Sequence, residues 1–450
     1  MKEQKKQEVA VEKISFILPV LNEKRLVGPQ LERLQVYRSA GHEVLLIDGG
    51  SSDGSPSGLA GLVDYVDIAP PGRSSQMNRG AELASGDILL FLHIDTILPE
   101  SADTLIRDAC KQAEWGWFDV ELADDGWPYR LISWMMNRRS RITAVCTGDQ
   151  ALFVKRGLFL DVGGFPALPL MEDVAISKLL RGRSAAMAIS SPVRTSARRW
   201  RENGLISTVM QMWLLRLRYF LGSSPESLSA MYYPPKRCKF PQSRIAIFAR
   251  EPVLGAVKTR LAADIGDDTA LGLYKRMATR IVTCCRSSAL AKVELWVSSN
   301  VDNKYFLSVC NKRDIYSQCD GGLGAKMSFT VAEVLERNGA ENLILIGTDC
   351  PAMDYKYLED ALFQLNQAKD GVARVVLGPA EDGGYVLIGL NRSIPGIFQN
   401  ISWGSSGVLE ETLAYIRSEG IDYCLLPPLR DIDTLEDLDS LASLDPPIQY

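Results

Sequence analysis

The sequence predicts an α/β protein made of two tandem domains, each a mainly parallel sheet flanked by helices. Two observations indicate this fold class. Short apolar runs that end at polar loops alternate with helical segments, which is typical of right-handed β-α-β crossovers. The same series begins again after a proline-rich stretch midway along the chain. The length of 450 residues agrees with two domains, because it exceeds what one hydrophobic core usually serves.

Three apolar runs in the first half predict buried strands. They are Ile14 to Val20, Glu43 to Ile47 and Ile88 to Leu92, with a helix expected between the first two, through Tyr37. Each run leads into a polar loop that carries carboxylates. Ligands of parallel sheets bind beyond the carboxyl ends of the strands, so these loops are where we expect a site.

The predicted domain boundaries follow from composition. Residues 1–13 are charged and lack the apolar core of a signal peptide, so they predict a disordered lead-in. The first domain is expected over residues 14–232 and the second over residues 244–450. Between them, residues 233–243 are rich in proline and charge, which predicts a linker.

The second half repeats the order of features found in the first. Its strands are expected at Ile245 to Ala249, Val293 to Val297, Leu343 to Ile346 and Val375 to Leu377. Asp349 follows a buried strand as Asp95 does, and a Glu-Asp pair comes later in each half, at Glu172-Asp173 and Glu381-Asp382. This correspondence predicts two uses of one fold rather than a solenoid.

Composition and charge exclude several classes of protein. Hydrophobic residues make up 46% and charged residues 23% of the chain, which is typical of a globular protein and not of a disordered or fibrous one. The net charge of −5 argues against a nucleic-acid partner. Nine cysteines without the spacing of a disulfide scaffold favour a reducing compartment, so we expect a cytoplasmic protein.

One segment is locally basic. Eight arginines lie between Arg181 and Arg218, opposed only by Glu202, and form either a solvated face or a site for a diphosphate or an anionic lipid. The most apolar stretch, Leu205 to Gly222, contains Gln211 and two arginines and falls short of the ~20 residues that a membrane span requires. As an amphipathic helix it packs against its own domain or lies on a membrane surface, and both alternatives stay open.

Four motifs follow one another in the first half. They are SFILPVLNE, LLIDGGSSDGS, GDILLFLHIDT and GDQALFVKRGLFLDVGGFPALPLMEDVAIS. Their order resembles the family 2 glycosyltransferases of the GT-A fold, whose members are nucleotide-diphospho-sugar transferases. The resemblance is closest to a bacterial subgroup associated with radical-SAM and selenium-related proteins.

The resemblance implies a nucleotide-sugar donor and a role for each acidic loop. Asp48 would bind the donor base, and Asp53 would lie near the nucleotide. Asp95 would hold Mg²⁺ or Mn²⁺, which prefer oxygen ligands. Asp173 would take the proton from an acceptor hydroxyl in an inverting in-line displacement, and Glu172 would orient the reacting groups.

Three further residues of the first half are candidates for the site. His93 stands where the family's metal motif commonly has its first aspartate, and a neutral imidazole could ligate a metal, bond a ribose or be structural. Arg73, before a predicted helix, could clamp a donor phosphate or simply begin a surface helix. Asp149 would lie near the donor or acceptor sugar by resemblance, or cap a turn.

The second half carries basic residues after its first strand. Lys258 and Arg260 suit the phosphates of a nucleotide, although the loop lacks the spacing of a Walker P-loop. Asp349, after a buried strand, and Asp382, before a glycine pair, are the predicted metal and phosphate-binding residues. The set resembles a bacterial transferase family of uncertain substrate that is related in fold to nucleotidylyltransferases. A structural role for the same residues is the alternative.

These features predict a glycosyltransferase that moves a sugar from a nucleotide-diphosphate donor to a hydroxyl acceptor, either a small molecule or a lipid-like one. The second domain is expected to bind a nucleotide sugar or nucleoside triphosphate. The alternative is a nucleotidylyltransferase that activates a phosphorylated small molecule, with the first domain as recognition module. A third hypothesis, prompted by His93, is that one domain is a binding module without catalysis.

Overall fold

The computed structural model describes residues 12–51, 53–59, 61–70, 72–232, 237–298, 300–368, 371–444 and 448. The main division between its two compact units falls at residue 235. Most of the predicted lead-in, residues 1–11, and the start of the predicted linker, residues 233–236, lie outside the described residues.

The first unit is built on one eight-stranded sheet, in the order 3-2-1-4-7-6-8-5. The strands are β1 (Ile14–Val20), β2 (Glu43–Asp48), β3 (Tyr65–Ile68), β4 (Ile88–Phe91), β5 (Thr96–Ile97), β6 (Trp115–Leu122), β7 (Leu152–Lys155) and β8 (Ala186–Thr195). Strands β2 and β4 run parallel to β1, and β6 runs parallel to β8. Strand β7 is antiparallel to its neighbours β4 and β6, and β5 is antiparallel to β8.

Helices cover the first sheet. They are α1 (Lys24–Ser39), α2 (Arg73–Leu83), α3 (Ala102–Cys110), α4 (Trp127–Thr143), α5 (Arg156–Asp161), α6 (Glu172–Arg181), α7 (Arg198–Asn203), α8 (Leu205–Phe220) and α9 (Pro225–Tyr232). Every residue of β1, β2 and β4 is buried. Burial on both faces explains their nearly continuous apolar runs, because a parallel strand between helical layers has no solvent side.

One carboxylate within this core is held by a polar cluster. Glu43 is buried at the start of β2, and its carboxylate accepts hydrogen bonds from the side chains of Ser15 at 2.5 Å, Ser85 at 2.6 Å and Lys13 at 2.7 Å. Burial alone would raise the pKa of Glu43, but these donors lower it to about 2. The cluster therefore anchors the amino ends of β1 and β2.

The second unit is built on a seven-stranded sheet, in the order 11-10-9-12-14-13-15. Its strands are β9 (Ser243–Ala249), β10 (Lys292–Val297), β11 (Ile315–Ser317), β12 (Asn342–Ile346), β13 (Arg374–Pro379), β14 (Tyr385–Leu390) and β15 (Asp422–Leu425). Its helices are α10 (Thr259–Ile265), α11 (Asp267–Ser288), α12 (Lys304–Val309), α13 (Leu323–Ala332), α14 (Tyr355–Asn366), α15 (Val408–Ser418) and α16 (Leu438–Ala442). Strand β14 is antiparallel to β12 and β13.

Successive residues of β9 face two separate cores of the second unit. Ile245 and Ile247 belong to one buried cluster, whereas Ala246 belongs to another on the opposite face of the sheet. This alternation follows from the period of two in a β-strand. Two apolar faces require helices on both sides, which is the layered arrangement that the sequence predicts.

The two units share a topology, which confirms the predicted α/β fold class. In each, the first, second and fourth strands in chain order are adjacent and parallel, and the next position in the sheet is an antiparallel strand, β7 or β14. Asp95 and Asp349 accordingly follow equivalent strands, β4 and β12. The proposed equivalence of the Glu-Asp pairs is wrong: Glu172 begins α6, after β7, whereas Glu381 lies between β13 and β14.

Candidate functional site

Acidic side chains of the first unit gather beyond the carboxyl end of β4, where the fold leaves room for a ligand. Asp95 follows β4 and is half-buried. Burial raises its pKa, Asp149 adds to this effect, and His93 and Arg73 oppose it. Asp95, Asp149, His93 and Arg73 are therefore electrostatic neighbours, and their binding roles stay predictions.

The imidazole of His93 is fixed between a carboxylate and a glycine. Its Nδ1 lies 3.2 Å from Oδ1 of Asp149, and its side chain is only 9% exposed. A Cβ at Gly148 would lie 2.4 Å from Cε1 of the ring, so only glycine leaves room for the imidazole there. The ring is therefore held in one position beside the predicted metal ligand Asp95, and its role in binding stays a prediction.

Glu172 and Asp173 form the first turn of α6, where the partial positive charge of a helix amino terminus favours carboxylates. Met171 has a left-handed backbone, with φ of 69°, and turns the chain into this helix. Glu172 is buried, and its pKa is raised by that burial and by the neighbouring Asp173. Both line a small cleft that also contains His93 and Gly148.

Two arginines of the site were missed or not singled out by the sequence reasoning. Arg139 lies on α4 and Arg216 on α8, far apart in sequence. Burial, together with the charge of Arg216, lowers the pKa of Arg139 to about 10, and burial also lowers that of Arg216. Asp173 and Asp149 act on both arginines in the opposite direction. The two guanidinium groups therefore face the same carboxylates as the cleft.

The predicted nucleotide-binding aspartates lie in and after β2. Asp48 is the last residue of that strand and is 1% exposed. Asp53 accepts hydrogen bonds from the backbone N–H groups of Lys24 at 3.0 Å and Ser55 at 2.9 Å. Burial would raise the pKa of Asp53, but these bonds and that from the Ser55 hydroxyl lower it. Asp53 thus connects its loop to the start of α1, and its contact with a nucleotide stays a prediction.

Gln76 of α2 supports the loops of the site. Its side-chain amide donates hydrogen bonds of 2.8 Å to the backbone carbonyls of Val20 and Ile47. It therefore ties together the carboxyl ends of β1 and β2, beside Asp48. Arg73, the first residue of the same helix, is exposed, and its charge acts on both Asp95 and Glu172.

The residues near Asp95 fit a divalent cation only in part. Within the described part of the chain, no three His, Cys, Asp or Glu side chains are arranged to hold a metal together. Asp95 has a raised pKa, so a cation beside it would favour its charged form. Mg²⁺ and Mn²⁺ accept few protein ligands when phosphate oxygens complete the shell. This set fits an ion that binds together with a diphosphate rather than before it.

The second unit holds a buried lysine between carboxylates. Lys258 is in the left-handed conformation, with φ of 49°, just before α10, and its side chain is 5% exposed. Its Nζ lies 2.6 Å from Oδ1 of Asp349 and 2.9 Å from Oδ1 of Asp433, and it donates to the carbonyl of Ile432 at 2.6 Å. The predicted phosphate ligand is therefore engaged in three contacts within its own unit.

Further carboxylates surround this lysine. The pKa of Asp431 is raised to about 6 by burial and by the charges of Asp382 and Asp433. Asp382 also accepts a hydrogen bond of 2.9 Å from the N–H of Gly384. Arg260 is exposed on α10. The structure thus brings Asp349, Asp382 and Lys258 into one cluster, and their binding roles remain predictions.

Residues 15–152 match the profile of glycosyl transferase family 2. The first unit therefore carries a glycosyltransferase family 2 domain, and the predicted type of enzyme is confirmed at the level of this domain. Residues 281–405 match a family described only as an uncharacterized protein conserved in bacteria, DUF2064.

Curated relatives match the first unit. Proteins of Mycobacterium bovis (strain BCG / Pasteur 1173P2) and Mycobacterium tuberculosis (strain ATCC 25177 / H37Ra) are called PGL/p-HBAD biosynthesis glycosyltransferase. Each is 31% identical over 175 residues, which cover 35% of this chain and 64% of the relative. The chain therefore spans less than two thirds of the length of these relatives.

Solved structures of similar proteins were also found. A protein of Desulfovibrio desulfuricans G20, described provisionally as a nucleotide-diphospho-sugar transferase, is 26% identical with a TM-score of 0.40, and the match covers 43% of this chain and 83% of that one. A mannosyltransferase of Pyrobaculum calidifontis, solved with GDP-Man and Mn²⁺, is 20% identical with a TM-score of 0.32, covering 42% and 57%.

Proposed function

We propose that the first unit transfers a sugar from a nucleotide-diphosphate donor to a hydroxyl acceptor. The observation that carries this proposal is the convergence of Asp95, His93 and Asp173 at the carboxyl end of the sheet, within a family 2 domain. Transfer from such a donor requires one group to neutralise the leaving diphosphate and another to accept the acceptor's proton. The cleft supplies Glu172 and Asp173 for the second task, and Arg73 together with a cation beside Asp95 would perform the first.

In the proposed reaction the acceptor oxygen attacks the anomeric carbon of the donor sugar. The bond from that carbon to the diphosphate oxygen breaks, and the nucleoside diphosphate leaves with the electron pair. Asp173 takes the hydroxyl proton, Glu172 orients the acceptor, and Arg73 binds the diphosphate. A divalent cation held by Asp95, when bound, neutralises charge on the leaving group. Asp48 and Asp53 are the proposed contacts to the nucleoside.

The first test measures donor binding by the full chain, from the thermal shift given by nucleotide sugars with and without Mn²⁺. We expect a donor to stabilise the protein only with the ion present, and Asp95→Asn to abolish that shift. Asp108→Asn serves as control, because its carboxylate is 60% exposed on α3 and pairs only locally, with Lys111. If no nucleotide sugar stabilises the wild type, or if both variants behave alike, the proposal fails.

The second test separates binding from chemistry. Asp173→Asn should keep the metal-dependent donor shift but lower the rate of nucleoside diphosphate release by about 10²–10⁴-fold, as expected for loss of a general base. An unchanged rate would remove Asp173 from the reaction. The acceptor is a small molecule or a lipid-borne hydroxyl, and we propose that the protein works in the cytoplasm, in peripheral contact with a membrane.

For the second unit we propose nucleotide binding, and a nucleotidylyltransferase reaction is the second candidate function. The specific observation is the cluster of Asp349, Asp382 and Asp431 around the buried Lys258. In that reaction a substrate phosphate oxygen attacks the α-phosphorus of a nucleoside triphosphate, and pyrophosphate leaves with the electron pair of the broken bond. We also propose that the second unit is related in fold to nucleotidylyltransferases. For the first unit we propose membership of the bacterial subgroup associated with radical-SAM and selenium-related proteins.

Pyrophosphate release from nucleoside triphosphates tests this candidate. We expect a triphosphate to stabilise the full chain in a way that Asp349→Asn abolishes and Asp95→Asn leaves intact. Arg260→Gln should weaken the triphosphate shift if that exposed guanidinium contacts the phosphates. A triphosphate shift lost in Asp95→Asn instead would assign nucleotide binding to the first unit alone.

A further inference from the structure

Two helices of the first unit expose long apolar stripes. On α8 the exposed side chains recur at three- and four-residue spacing, so they share one face of the helix. They are Ile206, Met210, Trp213, Leu214, Leu217 and Phe220. Of these, Ile206 is 81% and Phe220 74% exposed. On the opposite face of α8, Thr208 and Leu215 are buried, so that side packs against the first unit.

Helix α4 has a second stripe of the same kind. Its exposed apolar side chains are Trp127, Leu131, Trp134, Met135 and Ile142, and Trp127 is 75% exposed. The two helices belong to one packed layer, because Tyr129 and Ile132 of α4 share a buried cluster with Leu205 and Val209 of α8. We call the exposed apolar residues of α4 and α8 the α4–α8 surface. Apolar exposure on this scale marks an interaction site in a globular protein.

The charge of the two helices indicates what the α4–α8 surface contacts. Together they contain six arginines and no acidic residue, in a chain whose net charge is −5. Arg130, Arg138 and Arg218 are exposed, and the guanidinium of Arg138 lies 5.9 Å from the ring centre of Trp134. Tryptophan beside arginine on an amphipathic helix is typical of a segment that lies in the headgroup region of a bilayer.

No helix in the described part of the chain is long and apolar enough to cross a membrane. An interfacial position requires only one apolar face, with cations beside it that attract anionic headgroups. We propose that the α4–α8 surface docks the protein onto the face of an anionic lipid bilayer. The exposed side chains enter the interface, and the arginines contact phosphate groups of the lipids.

The inner sides of the same helices lie beside the candidate active site. Leu215 of α8 shares a buried cluster with Met171 and Val174, the neighbours of Glu172 and Asp173. Ser140 of α4 donates a hydrogen bond of 2.7 Å to the side chain of Gln150, next to Asp149. Arg139 of α4 and Arg216 of α8 both act electrostatically on Asp173, the proposed base. Docking would therefore hold the acceptor side of the cleft near the lipid headgroups, which points to a lipid-borne hydroxyl as acceptor. This corollary rests on the proposed sugar transfer, whereas docking of the α4–α8 surface rests on the exposure and charge of its own residues.

Co-sedimentation of the full chain with vesicles tests the proposal. One set of vesicles contains phosphatidylcholine alone and the other also contains phosphatidylglycerol. We expect binding to the anionic set, and Trp213→Ser with Phe220→Ser should lower the partition coefficient by about tenfold or more. Leu307→Ser with Phe363→Ser is the matched control, because both are exposed apolar residues on helices of the second unit.

Charge is tested separately. Arg138→Gln with Arg218→Gln should lower binding to anionic vesicles by about threefold or more and make it less dependent on salt, whereas Arg313→Gln, an exposed arginine of the second unit, should not. If Trp213→Ser with Phe220→Ser lowers the melting temperature, Ile206→Ser with Leu217→Ser replaces that pair. The donor shift measured without vesicles remains an independent test of the proposed function.

Three results would overturn membrane docking. The first is a wild type that stays in the supernatant of anionic vesicles, and the second is a control pair that reduces binding as much as the stripe pair. The third is a dimer, seen by light scattering, that the stripe variants convert to monomer without any vesicle binding. In that case a second copy of the chain covers the α4–α8 surface.

Discussion

Replacing Gly148 by alanine should disable the site while leaving the fold in place. Gly148 does not have a left-handed backbone, so alanine is not strained there by its own conformation. The added Cβ would instead lie 2.4 Å from Cε1 and 2.5 Å from Nε2 of His93. The imidazole is nearly buried, so the methyl group cannot be accommodated without moving the ring.

The size of the effect follows from these distances. Reaching ordinary van der Waals contact requires the ring to move by about 1 Å, which would break its 3.2 Å contact with Asp149. A misplacement of about 1 Å in an active site can cost about 10²-fold in rate. Overpacking should cost ~1–3 kcal/mol of stability, so the variant should still fold at assay temperature.

The assay is release of nucleoside diphosphate from whichever donor stabilises the wild type. Gly157→Ala is the control, because this glycine lies in α5 of the same unit and a Cβ there meets nothing within 4 Å. We expect the control to keep its rate within about twofold. Equal rates for Gly148→Ala and Gly157→Ala would show that the position of His93 does not matter for the reaction, and the site as described would be wrong.

Three predictions concern stability. Glu43→Gln should cost ~2–3 kcal/mol near neutral pH, because the pKa of Glu43 is lowered from 4.5 to about 2. That contribution is present above pH 4.5 and is lost as the pH falls towards 2. The free energies of unfolding of variant and wild type, measured with urea, should therefore converge in acid, and a difference that does not change with pH would contradict the prediction. Lys258→Met leaves the half-exposed carboxylates of Asp349 and Asp433 without their cation, so it should destabilise the second unit by ~1–3 kcal/mol and lower its melting temperature. A melting temperature unchanged in calorimetry would count against the cluster. Gly383→Ala places a Cβ 2.1 Å from the carbonyl oxygen of Ser406 with φ of 93°, and should destabilise the unit by ~2 kcal/mol or more. Gly371→Ala is the control, because its φ is 76° but a Cβ there meets nothing within 4 Å. It should therefore cost only the ~1–2 kcal/mol of the left-handed backbone.

The strands that could be predicted are those buried on both faces. The run Ile14 to Val20 coincides with β1, and the second run ends one residue short of β2. Strand β8 was not predicted, because its sequence, AMAISSPVRT, mixes polar residues and a proline with partly exposed positions. Local apolar runs identify a strand only where both sides of the sheet are covered.

The residues of the candidate site also differ in how far the local sequence indicates them. Asp95 and Asp173 could be proposed from the sequence because each lies within a contiguous motif that a single loop or helix start presents, and their roles stay predictions. Arg139 could not, because nothing in the sequence of α4 indicates which of its four arginines interacts with Asp149 and Asp173. The Glu-Asp pairs failed as equivalents for a related reason, since similar dipeptides occur on different connections of the two sheets.

The exposed and inner faces of α4 and α8 are both explained by docking onto a membrane. A helix needed only for packing gains nothing from exposing tryptophan and phenylalanine, and it would keep its guanidinium groups in water. Here Trp213 and Phe220 are exposed, while burial lowers the pKa values of Arg139 and Arg216, whose charges act on Asp173. Retaining both features is explained if the outer face meets a bilayer and the inner face receives an anionic group carried by it. Donor binding depends on neither, so the two halves of the proposal can fail separately.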